Sequence, residues 1–404
     1  MKNLFYIGAA ILLLFSTVNL FGQQSQDQGQ TEEENKMLFA YQRNFARGSL
    51  STKVQVLQDA ASREAAGMGK LYLQAIDFYL DNFNTLREDP TAIELVKLAS
   101  RLAGEAEYKP AAAELWKLFQ QSDDVGIQVA AVQSIGRLLE ADDQMLGSLI
   151  DFLEAQNSRF REGSEVQLQV IGETITALAR IGSTDAFPVL FAAAYLGYPQ
   201  QIEEKAEQAL NSLEGDTIEM VLQVLEEGFP QEKIPALSWA MENDDLNRQE
   251  KGRIAQKALS EGLKRISNPE QQEQLRQLRY AAVRHLTELE WSEATPLAIE
   301  HFDRTNIEVD RGITSQSTLL EAIACLGTMG TSEAAVRLSL YLEVLNTYKE
   351  NGQRVDEQVA LAVINNLGTL GDDVAFDHLL YTMYLDYPRS VKQAAREVLS
   401  EFKQ

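Results

Sequence analysis

The chain has 404 residues, of which 60 are acidic and 36 are basic, so its formal net charge is −24. A field of this sign repels phosphate backbones, which excludes nucleic acid as an expected partner. Three histidines and one cysteine leave few side chains for a metal site or a catalytic nucleophile, and we expect no cofactor.

The first 22 residues have the pattern of an export signal. Lys2 is the only basic residue, an uncharged run from Leu4 to Phe21 follows, and Gly22 is a small residue suited to a cleavage site. This pattern predicts a signal peptide over 1–22 and export to the periplasm or the cell envelope. Because the run approaches the roughly 20 residues that span a bilayer, an uncleaved inner-membrane anchor is the alternative. Membrane contact is expected only through this segment.

A polar segment of low complexity follows at 23–35, with the sequence QQSQDQGQTEEEN. Such a segment buries too little apolar surface to offset the entropy of ordering it. We therefore predict a disordered tether ahead of the folded part of the chain.

From residue 36 to residue 404 the apolar residues recur at helical spacing, without a convincing alternating strand. The pattern predicts an all-α fold of about nine to ten helical hairpins, stacked into an α-α superhelix, or solenoid. Each repeat of a solenoid packs only on its neighbours, so this length does not require several globular domains. A bend between two half-solenoids is predicted near 228–247, where Gly228, Pro230 and Pro235 cluster.

The clearest internal signal is a duplication. Residues 152–213 return as 341–402 in the same register and without a gap, at an offset of 189. The identical pairs include Asn157/Asn346, Gly182/Gly371, Phe187/Phe376, Leu190/Leu379, Tyr195/Tyr384, Tyr198/Tyr387 and Pro199/Pro388. A register of this length indicates a repeat architecture.

Each copy contains a helix with one apolar face, which a glycine ends at Gly182 or Gly371. The residues expected to be buried are Val170, Ile175 and Leu178, matched in the second copy by Val359, Ile364 and Leu367. The residues expected to face solvent are Gln167, Glu173 and Thr176. After the glycine, Ser183, Thr184 and Asp185 offer side-chain oxygens that cap the next helix.

The run GSTDAFPVL at 182–190 resembles the turn and second helix of a bacterial HEAT-like repeat, as do 330–338 and 371–379. The run DVGIQVAAVQSIG at 124–136 resembles the first helix of such a repeat. The resemblance implies that the hairpins are HEAT-like and that their second helices line the concave face. It implies no particular function, because this family binds very different partners on one scaffold.

Aromatic residues on these second helices are the candidate contacts for a partner. The candidate partner-binding residues are Phe191, Tyr195, Tyr198, Tyr381, Tyr384 and Tyr387. Aromatic side chains dominate binding hot spots, but they also fill the cores between repeats. The tyrosines and the proline that recur in both copies fit a structural corner, so the structural interpretation stands beside the functional one.

No catalytic set can be assembled from the sequence. His285, His301 and His378 stand outside any metal-ligand spacing, and the chain has neither a phosphate loop nor a nucleophile elbow. Cys325 lies in an apolar run, which is typical of a small buried residue. We therefore expect an exported scaffold rather than an enzyme, with a protein or peptide as its partner in the cell envelope.

The alternative is a HEAT-like enzyme, or a lyase or chaperone, with its site in the irregular middle at 228–312. This part departs most from the repeat, and it contains His285, His301, Trp239 and Trp291. A deep pocket there that holds a histidine beside a carboxylate would favour the enzyme. A continuous open groove would favour the scaffold.

Overall fold

The computed structural model describes residues 35–62 and 67–402, and the regular structure in these ranges is entirely helical. The chain divides into two compact units, Met1–Glu214 and Gly215–Gln404. The helices of the first unit are α1 (35–47), α2 (Leu50–Ser62), α3 (Gly69–Asp81), α4 (Phe83–Leu86), α5 (Pro90–Glu105), α6 (Ala112–Gln121), α7 (Val125–Leu138), α8 (Leu146–Arg161), α9 (Leu168–Ile181), α10 (Phe187–Tyr195) and α11 (Gln200–Ser212).

The second unit continues the same alternation of helices and short connections. Its helices are α12 (Thr217–Glu227), α13 (Pro230–Glu242), α14 (Arg248–Gly262), α15 (Pro269–Leu289), α16 (Thr295–Asp310), α17 (Gln316–Thr328), α18 (Ser332–Glu350), α19 (Glu357–Leu370), α20 (Phe376–Thr382) and α21 (Arg389–Glu401). A single 3₁₀ turn leads into each of four helices, namely α6, α10, α16 and α20.

Helices pack as hairpins in two layers within each unit. In the second unit the odd-numbered helices α13 to α21 pack side by side, and so do the even-numbered helices α12 to α20. In the first unit the layer of odd-numbered helices runs from α3 to α11, and α8 packs beside α10. This confirms the predicted all-α fold, in which helical hairpins stack on one another within each unit.

The duplicated helices share one buried face. Val170, Ile175 and Leu178 of α9 are buried, as are their counterparts Val359, Ile364 and Leu367 of α19. Gly182 and Gly371 end the two helices with φ of +73° and +65°, a left-handed conformation that glycine adopts without strain. In the turns that follow, the side chains of Ser183 and Asp372 accept hydrogen bonds from backbone N–H groups, as the capping pattern predicts.

Glu173 does not face open solvent, contrary to the sequence prediction. Its side chain lies between two neighbouring helices, where Gln133 Nε2 of α7 donates to Oε2 at 2.9 Å and Lys205 Nζ of α11 donates to Oε1 at 3.1 Å. The other two residues predicted to face solvent, Gln167 and Thr176, are exposed. The single-helix pattern missed the contact because both partners of Glu173 lie on other helices.

The division between the two units lies at Glu214/Gly215, upstream of the bend predicted at 228–247, where α12 and α13 pack against each other. The predicted signal segment at 1–22 lies outside the described residues, and so does the predicted tether except for Asn35, which already belongs to α1.

Candidate functional site

The six aromatic residues proposed from the sequence divide into two groups. Phe191, Tyr198 and Tyr387 are buried and contribute to the core. Burial raises the pKa of both Tyr198 and Tyr387 to about 12. Tyr195, Tyr381 and Tyr384 are 38%, 41% and 77% exposed. Only the second group presents its side chains to a partner at the folded surface.

The two buried tyrosines have different ring contacts in the two copies. The Tyr198 ring stacks on Phe160, with 3.9 Å between the ring centroids. At the position of Phe160 the second copy has Lys349, whose Nζ lies 5.7 Å from the centroid of the Tyr387 ring. Both arrangements fill the corner between consecutive hairpins, so these tyrosines are structural residues.

The most distinctive surface of the second unit is an apolar stripe on α18. Val336, Leu340, Val344 and Tyr348 are spaced four residues apart and therefore share one face of the helix. Their exposed fractions are 41%, 48%, 42% and 47%. The opposite face of α18 is also apolar, and it is buried through Leu338, Leu342 and Leu345. The helix therefore has more apolar surface than the core of this unit covers.

The first copy shows that the fold does not require this stripe. At the offset of 189, the residues of α8 that correspond to the stripe are Gly147, Asp151, Ala155 and Arg159, which are all exposed. The buried positions of the same helix are nevertheless matched, since Leu149 and Leu153 correspond to Leu338 and Leu342. The two copies thus share a core and differ in the surface that it supports.

The stripe extends towards α20, which packs beside α18. Interaction with the carboxylate of Glu350, the last residue of α18, raises the pKa of Tyr381. Tyr381 therefore lies at the seam between the two helices, near the end of α18. We call the four stripe residues together with Tyr381 the α18 face.

The charges around the α18 face leave a negative surplus. Glu333 and Glu343 are exposed on α18 and make no ion pair within the described ranges. The cations nearby are engaged, because Arg337 pairs with Asp303 of α16 and Lys349 lies over the ring of Tyr387. A partner at this face therefore meets exposed apolar side chains and unpaired carboxylates.

A second feature lies in the middle region, where the alternative hypothesis placed an enzyme site. A cavity of about 630 Å³ opens beside α16, and four arginines contribute to its lining: Arg265, Arg276, Arg304 and Arg311. Its carboxylates are Glu300, Asp303 and Glu308. His301 is buried outside this lining, and its Nε2 lies 3.5 Å from the hydroxyl of Thr305. The cavity therefore brings together arginines and carboxylates, and not a histidine beside a carboxylate.

The remaining residues of the enzyme hypothesis are dispersed. His285 Nδ1 lies 3.5 Å from Glu288 on its own helix, and Trp291 Nε1 donates to Gln256 Oε1 at 2.8 Å. Within 35–62 and 67–402, no group of three or more His, Cys, Asp or Glu residues could hold a metal ion. Cys325 is fully buried, and burial raises the pKa of its thiol to about 11, which keeps it protonated near neutral pH.

Comparisons with known proteins do not assign the chain to a family. No protein-family model matches the chain, and no curated protein matches it. One similar chain comes from a solved structure that concerns a phosphorylation switch in the interaction between cadherin and beta-catenin. It is 14% identical, covers 91% of this chain and 94% of its own length, and superposes with a TM-score of 0.36. A superposition this loose does not bear on function.

Among the helices of the described residues, none combines the length and the apolar character that crossing a bilayer demands.

Proposed function

We propose that the protein is an exported, non-catalytic helical-repeat scaffold of the HEAT-like type. Its second unit binds a basic, amphipathic helical segment of a partner protein along the α18 face. The observation that carries this proposal is the exposed row of Val336, Leu340, Val344 and Tyr348, which the duplicated copy replaces with small or polar residues.

Exposed apolar side chains in a contiguous row favour association, because burying them releases water from apolar surface. A helix carrying apolar residues at i, i+4 and i+8 matches a row that has the same spacing, as in other helix-in-groove complexes. Tyr348 and Tyr381 supply aromatic side chains with a polar end, which suit the rim of such an interface.

Charge complementarity selects a basic partner. Glu333 and Glu343 border the stripe without a cation of their own among the described residues, and the whole chain carries −24. Lysines or arginines on the edges of a bound helix would pair with these carboxylates and speed association. The same negative charge repels the phosphate backbone of nucleic acid.

The non-catalytic and exported parts of the proposal rest on the sequence. The histidines form no ligand set, and the segment 1–22 has the order of a charged start, an apolar core and a polar continuation. Export predicts a mature N-terminus near Gln23, which mass spectrometry of the protein from its native envelope would detect. An intact Met1 chain in the membrane fraction would instead establish the anchored form.

The binding proposal is tested with two synthetic 18-residue helical peptides, one of Leu and Lys and one of Leu and Glu in the same pattern. We expect fluorescence anisotropy to show much tighter binding of the Leu/Lys peptide. Any acidic protein attracts a basic peptide to some extent, so the decisive comparison uses variants that leave the charge unchanged. Leu340→Gln with Val344→Gln should weaken binding at least tenfold, which corresponds to about 1.4 kcal/mol.

The matched control is Ala155→Gln in α8, at the position that corresponds to Val344. This variant changes an exposed residue of the other copy and should leave the affinity unchanged. If the double variant in α18 binds the peptide as tightly as the wild type, the α18 face is not the binding site. If both peptides bind equally, the charge argument is wrong.

A further inference from the structure

We propose that the arginine-lined cavity beside α16 binds an organic carboxylate with an apolar tail. This site is separate from the α18 face and does not depend on the scaffold proposal. The cavity has a volume of about 630 Å³, which lies within the range of small-molecule pockets. It is formed by the connection from α14 to α15, the first turns of α15, one side of α16, and the connection that follows α16.

The inner wall of the cavity contains a carboxylate that accepts hydrogen bonds from several donors. Glu308 Oε2 accepts from Arg279 and from the Tyr280 hydroxyl, and Arg304 Nε donates to Glu308 Oε1 at 3.2 Å. Arg304 Nη1 also donates to the carbonyl of Leu263 at 2.9 Å. Two guanidinium groups therefore share the single negative charge of Glu308.

The shared carboxylate does not neutralise the arginines around it. Arg279 is fully buried, and its Nε and Nη1 make no hydrogen bond. The pKa of Arg304 is lowered by burial and by the neighbouring charges of Arg279 and Arg265, against the opposing effect of Glu308. The positive charge at the inner wall is thus only partly compensated by the protein.

The outer wall adds to this surplus. Arg276 pairs with Glu273, and Asp303 is occupied by Arg337. Arg265 and Arg311 are exposed and make no ion pair within the part of the chain that the structure describes, so their guanidinium groups remain available. Glu300 is the only carboxylate of the lining that lacks an arginine partner there. In a chain of net charge −24, this concentration of free arginine marks a place for an anion.

The apolar side chains of the cavity lining indicate that the rest of the ligand is apolar. Ile307 and Ile313 line the cavity and are each 49% exposed, and Ile266 lines it while half-buried. A ligand with a carboxylate at Arg265 and Arg311 could lay an apolar tail on these isoleucines. Arginine binds carboxylates through two parallel hydrogen bonds, which would orient such a ligand in the cavity.

The experiment measures binding of octanoate to the full chain by isothermal titration calorimetry. Octanamide serves as the neutral analogue, and inorganic phosphate as an anion without a tail. We expect octanoate to bind at least tenfold more tightly than either of them. Arg265→Gln with Arg311→Gln should abolish most of this preference, because both substituted side chains are exposed and lie in the cavity lining.

The matched control is Arg396→Gln, an exposed arginine of α21 that does not line the cavity. It removes one positive charge from the same unit and should leave octanoate binding unchanged. Equal affinities for octanoate and octanamide would overturn the assignment of an anion site. Phosphate binding as tightly as octanoate would overturn the role of the isoleucines, and an unaffected double variant would overturn the location.

Discussion

The hydroxyl of Tyr198 donates a hydrogen bond to Oδ1 of Asn157, 3.2 Å away, and no such bond joins their counterparts Tyr387 and Asn346. Both asparagines keep their other contact, in which Nδ2 donates to a backbone carbonyl one hairpin further along. In the second copy, however, the Thr382 hydroxyl lies 3.1 Å from Asn346 Oδ1. The buried hydroxyl of Tyr387 is left without a partner.

This difference predicts opposite outcomes for the same substitution. Tyr198→Phe removes a donor from a buried carbonyl, so it should destabilise the first unit by about 1 kcal/mol. Tyr387→Phe removes a buried hydroxyl that has no partner, so it should be neutral or stabilising for the second unit. Native-state hydrogen exchange in α8 and α11 measures the first effect, and exchange in α18 and α21 measures the second.

The duplication supplies the control for this prediction. Ala193 occupies the position of Thr382 in the first copy. Thr382→Ala should free Asn346 Oδ1, and the penalty of Tyr387→Phe in that background should then approach the penalty of Tyr198→Phe. Equal losses for the two Tyr→Phe variants in the wild-type background would contradict this account of the corner.

The architecture could be predicted from the sequence because its signals are local. The spacing of Val170, Ile175 and Leu178 depends only on one helix, and the glycines at 182 and 371 end their helices through backbone conformation alone. Such signals accumulate along the chain and define helices and hairpins. The sequence also predicts that Tyr198 lies in a structural corner. A residue that is identical in both copies is expected to support the fold that the two copies have in common.

The surface features were harder to predict, because they depend on which helices become neighbours. The pattern of α9 alone predicts that Glu173 faces solvent. In the fold, α7 and α11 pack beside α9 and supply both hydrogen-bond partners of Glu173. The sequence pattern does not single out the stripe on α18, because Val336 and Leu340 lie within a helix that is apolar on both faces. An alignment of the two copies at the offset of 189 does distinguish the stripe. The buried positions of α8 and α18 carry similar residues, whereas the stripe positions differ.

The contacts of Glu173 lead to a prediction about charge reversal. Burial opposes ionisation of Glu173, but hydrogen bonds from Gln133 and Lys205 outweigh it and hold the pKa of the carboxyl below its usual value. Glu173→Lys removes both bonds and places a cation beside Lys205, so we expect a loss of about 1 kcal/mol in the free energy of unfolding.

Exchanging the two charges tests whether the pair of Glu173 and Lys205 itself is responsible for the loss of stability. Glu173→Lys combined with Lys205→Glu should recover part of the loss, as determined by urea-induced unfolding of all four members of a double-mutant cycle. The second copy has Ala362 and Ala394 at these positions, so the backbone tolerates the absence of the pair. A double variant as unstable as the sum of the single variants would rule out direct coupling between the two side chains.

The buried histidine predicts how stability depends on pH. Burial, together with the charges of Arg279 and Arg304, lowers the pKa of His301 from 6.5 to about 3. The unfolded chain therefore binds a proton between these pH values that the folded chain does not bind. This stabilising contribution is complete above pH 6.5 and is lost as the pH falls towards 3.

At pH 5 the loss attributable to His301 should be about 2 kcal/mol relative to pH 8. His301→Leu cannot titrate, so its free energy of unfolding should fall less than that of the wild type over this interval. Urea-induced unfolding of both proteins at both pH values provides the comparison. Protonation of carboxylates changes the free energy of unfolding of the two proteins equally, so it cancels in the difference between them. Parallel pH profiles for the two proteins would show that His301 does not titrate as its surroundings require.

The repeat organisation itself is tested by placing a charge on either side of one helix. Ile364 is fully buried in α19, and its neighbour Asn365 is exposed. Ile364→Asp buries a carboxylate without a partner and should cost about 4 kcal/mol, whereas Asn365→Asp adds the same charge at the surface and should change stability by less than about 0.5 kcal/mol. Because repeats stabilise their neighbours, hydrogen exchange should show lost protection concentrated at 332–402, with 67–120 largely spared. Equal effects of the two substitutions would mean that the assigned face of α19 is wrong, and a uniform loss along the chain would mean that it unfolds as one cooperative body.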